Sequence, residues 1–257
     1  MRLISFMERQ FRERCETGTH GSRLNWFARA RPFETMVWRE LYRHCMVLLD
    51  PRPGERILDA GSNENIYSKA IRARSATYIS LDISLSALKE FRKAEGVLCV
   101  AGDIQALPFK DNAFDKALAS EVIEHVPRPL QALQELARVS RQYAVVSTAP
   151  FNGLVRKAYF ALFVDRQHNQ ACMAKTGHLF EFGPGFVGEV KKNFWVLSLQ
   201  GTGIIQFPRT AASGLLKAKP LQDTLGPVCA FLDRLASSLP FSHLLGNRIF
   251  IKFRRRS

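Results

Sequence analysis

Long apolar runs are missing from this chain. Nowhere do about 18 apolar residues stand together, the length that a membrane-spanning helix requires. The opening stretch MRLISFMERQFRERC carries charges at positions 2, 8, 9, 12, 13 and 14, so it lacks the uninterrupted apolar segment of a signal peptide. Cysteine is sparse and scattered: Cys15, Cys45, Cys99, Cys172 and Cys229 include no C-x-x-C pair, and an odd number at irregular spacing does not describe a disulfide framework. A reducing, cytoplasmic setting is expected. Internal repeats and low-complexity linkers are also absent. Acidic residues are outnumbered, 23 against 37 Lys and Arg, and the resulting charge of +14 attracts phospholipid, nucleic acid or an acidic metabolite without choosing among them. Basic clusters stand at RQFRER (9–14) and RRR (254–256).

What is present is enough apolar material for one substantial domain: 46% of 257 residues are hydrophobic. From residue 56 short apolar runs alternate with amphipathic segments, the pattern of a parallel sheet covered by helices. RILDAG (56–61), ATYISLD (76–82), GVLCVAGD (96–103), AFDKALAS (113–120) and YAVVSTAP (143–150) read as five successive strands. Between them, NIYSKAIRAR (65–74) reads as a helix, as does a segment capped by Ser84 whose Leu85, Leu88 and Phe91 share a face. RPLQALQELARVS (128–140) is a third helix, with Leu130, Leu133, Leu136 and Ala137 at helical spacing. Beyond Pro150 the period loosens into an insertion over the carboxyl ends of the strands, where open α/β sheets bind ligands. GFVGEVKKN then reads as a short helix, FWVLSLQGTG as a sixth strand and NRIFIKFR as a seventh. Residues 204–246 between those last strands hold apolar and helical patches broken by Pro208, Pro220, Pro227 and Pro240.

The turn after the first strand, LDAGSNENIY (58–67), places Asn63 and Asn65 where nucleotide-binding turns commonly carry glycine. Asparagine tolerates positive φ better than most residues, so the turn is kept. Glu64 would repel a pyrophosphate, and a cofactor bearing ammonium and sulfonium charge suits the loop better. Asp82 ends the second strand, where a carboxylate can accept hydrogen bonds from both hydroxyls of a ribose. Further on, AGDIQALPFKDNAFDKALASEVIEHV supplies Asp103-Ile104, Leu107-Pro108-Phe109, Asp111, Phe114-Asp115 and Glu124-His125.

With those residues in hand, the chain resembles the class I S-adenosylmethionine-dependent methyltransferases, in particular the small-molecule group that carries D…LPF…D..FD…..EH. The resemblance is dense over about residues 55–150. It continues more loosely through GHLFEFGPGFVGEVKKNFWVLSLQGTG. It implies a Rossmann-like α/β fold: a seven-stranded, mostly parallel sheet with helices on both faces and an antiparallel last strand. It also implies a helical segment over 1–50 that packs on or caps a methyltransferase domain over 51–257, with lid-like insertions at about 151–182 and 204–246. The cofactor would be S-adenosyl-L-methionine. Asp59, Gly61 and Asn63 would lie against its methionyl part, Asp82 and Ile83 at the ribose, Asp103 and Ile104 at the adenine. Ser120 and Glu121 would face the sulfonium and acceptor side.

The acceptor is narrowed by what the loops lack. No Asn/Asp-Pro-Pro-Tyr/Phe follows strand four, and no Pro-Cys nucleophile stands at the strand ends, which argues against methylation of nucleic-acid bases. Asp165, His168 and Cys172 are close in sequence but read as a solvated loop, and no metal site is nominated. An oxygen acceptor needs a base, and histidine, with an unperturbed pKa of about 6.5, suits neutral pH. His125 and His178 are the candidates, each also explicable as a structural or substrate-contacting residue. LVRKAYFALFV and residues 215–245 suit an apolar lid with cationic flanks, hence a small, lipid-linked or cell-envelope acceptor and peripheral contact with an anionic membrane. The alternatives are a catalytically silent methyltransferase fold acting as a scaffold, and an RNA-binding methyltransferase, which would need a continuous positive groove with exposed aromatics.

Overall fold

The computed structural model describes residues 32–63, 66–86, 88–89, 97–154, 177–203 and 219–256. Seven strands form one sheet: β1 (Arg56–Ala60), β2 (Thr77–Asp82), β3 (Leu98–Ala101), β4 (Phe114–Ser120), β5 (Ser140–Thr148), β6 (Phe194–Thr202) and β7 (Arg248–Arg255). Their order is β3-β2-β1-β4-β5-β7-β6. Six strands run parallel, and β7 lies antiparallel between β5 and β6. Strand order reverses between β1 and β4, so the crevice beyond their carboxyl ends is the place where such a sheet accepts a ligand. The expected seven strands and antiparallel last strand are those observed.

Period-two alternation divides the strand residues between two cores. Leu58, Ala60, Ile79, Leu81, Ala117, Ala119, Ala144 and Val146 pack on one face with α3 (Pro129–Val139) and α4 (Pro184–Asn193). Ile57, Tyr78, Leu118, Val145 and Phe250 pack on the other with α1 (Pro32–Leu49) and α2 (Ser68–Arg72). Helix α3 buries Ala132, Leu133, Leu136 and Ala137, the stripe expected from its spacing, and starts with Pro129 in its first turn, where a missing N–H is harmless.

Three local expectations change. Helix α2 is one short helix, Ser68–Arg72 with Tyr67 at its N-cap, rather than ten residues. Leu85 is 59% exposed while Leu88 is buried, so they do not share a core face, and Phe91 lies outside the described residues. Pro227 does not break the chain: α5 (Lys219–Ser237) runs through it and α6 (Ser242–Leu245) follows. Pro220 sits in the first turn of α5, and packing of α5 against α1 and β6 offsets the lost backbone donor and the ring clash that Pro227 brings to the helix interior. Arg234 of α5 pairs with Glu40 of α1.

Two charged clamps explain otherwise puzzling residues. Lys116, buried in the middle of β4, reaches the Asp50 carbonyl and the Glu55 carboxylate at 2.7 Å each, so its charge is compensated. Arg138 donates to the carbonyls of Leu107 (3.0 Å) and Phe109 (2.7 Å) and pairs with Glu135 and Asp111. Glu135 in turn accepts the Leu107 N–H at 2.8 Å, so α3 fixes the Leu107-Pro108-Phe109 turn from beneath.

The bonds from Arg138 hold the Glu135 carboxyl below its ordinary 4.5. Its stabilisation is therefore present above the ordinary value and lost as pH falls through the lowered one. We expect Arg138→Ala to lose about 1–3 kcal/mol at neutral pH. In urea titrations the gap to the unaltered protein should narrow as pH drops below 4.5. A gap independent of pH would assign the loss to packing.

Candidate functional site

The β1 turn leaves the sheet at the β1/β4 divergence. Gly61 has φ +77° and donates its N–H to the Leu81 carbonyl at 2.7 Å; Ser62 donates to the same oxygen at 3.1 Å. A Cβ on Gly61 would stand 2.5 Å from the Val122 side chain, so only glycine fits both the angle and the space. Asn63 takes φ +43°, the left-handed conformation that asparagine tolerates. Its N–H donates to Asp82 Oδ2 at 2.8 Å, and the Ser84 N–H donates to Asp82 Oδ1 at 2.8 Å. One carboxylate thus ties the β1 and β2 turns together and retains a further lone pair on each oxygen for a ligand. Glu64 and Asn65 lie outside the described residues.

Asp103, past the end of β3, receives its neighbour Gln105: the backbone N–H at 2.8 Å and the side-chain amide at 3.1 Å to each oxygen. Ile104 beside it is buried, whereas Ile83 is 36% exposed. Asp59 is buried on the α1/α2 face and accepts the Tyr78 hydroxyl at 2.6 Å, which offsets part of the cost of burying a carboxylate.

Strand parity decides what Ser120 does. It shares the α1/α2 face with Leu118, so its hydroxyl meets Tyr67 Oη at 2.9 Å and Ser147 Oγ at 3.2 Å, with Cys45 Sγ at 3.8 Å. Burial pushes the Cys45 thiol up to about 11. Ser147 donates to Glu121 Oε1 at 3.0 Å, and Glu121, at φ +57°, pairs with Arg248 of β7 at 2.8 Å. Ser120 therefore belongs to a buried polar chain beneath the crevice, and Glu121 ends that chain at Arg248. A buried pair of this kind needs both partners, since either alone is an uncompensated charge.

Past Glu121 a 3₁₀ turn, Ile123–His125, carries the motif's acid and imidazole. Glu124 is fully buried; Thr148 Oγ1 donates to its Oε2 at 2.9 Å, and Oε1 has no hydrogen-bond partner. Burial, reinforced by the nearby Glu121 charge, holds its carboxyl well above 4.5. His125 Nδ1 donates to the Gly177 carbonyl at 3.1 Å, and the Leu179 N–H donates to the Glu124 carbonyl at 2.8 Å. These bonds draw the segment from Gly177 onto the turn, leaving the His125 and His178 rings 4.8 Å apart. One donor atom each from Glu124, His125 and His178 lies within 4.8 Å of the other two. Asp165, His168 and Cys172 lie outside the described residues.

The sheet order, the glycine turn at its reversal and acidic residues at the ends of β2 and β3 define a class I methyltransferase fold. Comparison with known proteins agrees. Residues 58–146 match the family model described as a methyltransferase domain. A ubiquinone/menaquinone biosynthesis C-methyltransferase UbiE from Ruegeria sp. (strain TM1040) is 40% identical over 112 residues, 40% of this chain and 44% of that protein. A malonyl-[acyl-carrier protein] O-methyltransferase from Erwinia pyrifoliae is 36% identical over 107 residues, covering 40% and 41%. The chain spans about half the length, or less, of these relatives. Geranyl diphosphate methyltransferase, solved in complex with SAM, superimposes with a TM-score of 0.57 at 10% identity, covering 84% of each chain. A SAM-dependent methyltransferase from Thermotoga maritima does so at 0.52 and 16%, covering 87% of this chain and 95% of that one. Residues 58–146 are thus similar to a methyltransferase domain, carried on a Rossmann-like class I methyltransferase fold.

Two residues of the site escaped sequence reasoning. Arg248 stood in an expected strand with nothing to mark it as the partner of Glu121. Glu124 was visible as half of a motif, but its unpartnered oxygen and its closeness to His178 exist only in the folded chain.

Replacing Gly61 by alanine should destabilise the protein by about 1–3 kcal/mol, since the turn must abandon its φ or displace Val122. Asn63→Gly should be close to neutral. Thermal unfolding of the two variants checks both, and an unshifted Gly61→Ala would mean the turn adapts without strain.

Proposed function

We propose that the protein transfers a methyl group from S-adenosylmethionine to an oxygen, nitrogen or carbon of a small or amphiphilic acceptor. The observation that carries this is the Asp82 carboxylate bracing the Gly61–Asn63 turn while keeping acceptor capacity toward the crevice. The donor set suits this cofactor: carboxylates at the ends of β2 and β3 accept from ribose hydroxyls and an adenine amino group, and they disfavour a pyrophosphate. Asp82 and Ile83 would hold the ribose, Asp103 and Ile104 the adenine, and the turn at Gly61 and Asn63, above buried Asp59, the methionyl part. Ser120 and Glu121 would support the sulfonium side from beneath through their buried bonds. When bound, the cofactor supplies a methyl carbon on a positively charged sulfur.

The protein's remaining work is to align the acceptor and exclude water. For an oxygen acceptor, His125 or His178 would take the proton. Names of the relatives, which include quinone-biosynthesis C-methyltransferases and a malonyl-carrier O-methyltransferase, support a small or lipid-linked acceptor. Helix α5 supports the amphiphilic alternative. Val228, Phe231, Leu232 and Leu235 recur at helical spacing along it and are each at least 42% exposed, a stripe suited to an apolar phase. Among the described residues no helix is long and apolar enough to cross a membrane, so such contact would be peripheral, and the basic excess favours an anionic surface. A cytoplasmic setting, the lid-like role of about 151–182 and 204–246, and the capping role of 1–50 belong to the same proposal.

Titration calorimetry with S-adenosylmethionine tests the cofactor. The protein should bind it, and Asp82→Ala should weaken binding by about 10- to 100-fold, equivalent to 1–3 kcal/mol of hydrogen bonds left unmade. Unchanged affinity in the variant would remove the ribose role from Asp82. A folded protein that does not bind at all would leave the scaffold alternative.

Sedimentation with vesicles tests the helix. Anionic vesicles should carry the protein down, and the double variant Phe231→Ser, Leu235→Ser should release most of it. Retention by the double variant would acquit α5. Tight, steeply salt-dependent binding to generic RNA in place of vesicles would favour the nucleic-acid alternative.

A further inference from the structure

We propose that Glu124, His125 and His178 form a binding site for a divalent transition-metal cation at the acceptor side of the crevice. Three observations converge on it. First, the donors are already gathered: one atom of each residue lies within 4.8 Å of the other two, although His178 comes from a separate segment of the chain. Second, Glu124 is completely buried, one of its oxygens is engaged by Thr148, and the other has no hydrogen-bond partner. Buried polar atoms are nearly always partnered, so an orphaned oxygen on a carboxyl group gathered with two imidazoles points to a ligand.

Third, the surrounding bonds are those that orient metal ligands. The Gly177 carbonyl can only accept, so His125 Nδ1 carries the proton, the kind of bond that fixes the tautomer and ring of a metal-ligating histidine. Thr148 steadies the carboxylate in the same manner. The Leu179 N–H bond to the Glu124 carbonyl anchors the segment bearing His178 onto the residue bearing the carboxylate.

Two imidazoles and one carboxylate suit zinc, cobalt, iron or manganese in the divalent state rather than magnesium or calcium, which prefer all-oxygen surroundings. Metal–ligand bonds of about 2.0–2.2 Å require the three donors to close further on the ion, which side-chain rotation can supply. Three protein ligands leave coordination positions for an oxygen of the acceptor, whose acidity the cation would raise. This last role rests on the methyltransferase function proposed above, and there the imidazoles would act through the cation rather than as bases. Cation binding itself does not depend on that function.

The test uses the whole 257-residue chain after chelator treatment, titrated with cobalt(II) alone and followed by visible absorption and calorimetry. Saturable binding of one cation per chain with a ligand-field band is expected. His178→Ala should weaken it at least tenfold, and Glu124→Gln should do the same, with circular dichroism confirming that each variant is folded. His178 is only partly buried, so its variant carries the test if the buried Glu124 variant does not fold. No saturable binding, or binding unchanged in folded His178→Ala, would overturn the site. S-adenosylmethionine binding measured without cobalt keeps the two proposals apart: a protein that binds cobalt but not the cofactor retains the cation site and loses the methyltransferase function.

Discussion

One carboxylate holds the crevice in shape. Asp82 receives the Asn63 N–H on one oxygen and the Ser84 N–H on the other, so the turns after β1 and β2 cannot move independently. Parallel strands leave their terminal N–H groups without ladder partners at such turns, and a charged acceptor between them is a strong way to satisfy two at once. Gly61 makes the arrangement reachable by turning back beneath Leu81, in a space that Val122 closes to any side chain. The rest of the proposed cofactor site is arranged around that braced pair of turns.

Beneath the crevice the protein spends polar groups where an ordinary sheet would use apolar ones. Cys45, Tyr67, Ser120 and Ser147 make a buried hydroxyl and thiol chain that ends in the Glu121–Arg248 pair. Arg248 comes from the antiparallel strand β7, so the far side of the sheet is electrostatically joined to the end of β4. Glu124, one turn further, has no such cation on its second oxygen. Two buried acids so close together need different treatment: one is paired with arginine, and the other is held toward its neutral form.

Among the described residues, helix α5 carries an exposed apolar stripe. Helix α5 packs on α1 and carries the Glu40–Arg234 pair, yet turns leucines and phenylalanine outward. Such a stripe is at odds with a helix designed only for water, because a surface helix ordinarily directs its apolar side to the core. Under the proposed function the stripe and the crevice are related chemically, since an amphiphilic acceptor would have to leave an apolar phase to reach the strand ends.

The sequence by itself determined the sheet, because period-two and helical patterns, glycine at the turn and the spacing of Asp82, Asp103 and Glu124-His125 are local or nearly local features. It also named Asn63 as a tolerable replacement for glycine, since positive φ is a property of the residue. Tertiary structure alone decided which side chains meet. Strand parity turned Ser120 away from the crevice into the Cys45–Tyr67 network. Long-range pairing gave Glu121 its arginine and Lys116 its Glu55. Packing carried α5 through Pro227, which propensity argues against. Docking of the segment from Gly177 brought His178 to His125 and Glu124. Each of these depends on distances between residues far apart in the chain, and a one-dimensional pattern carries composition and period but not those distances.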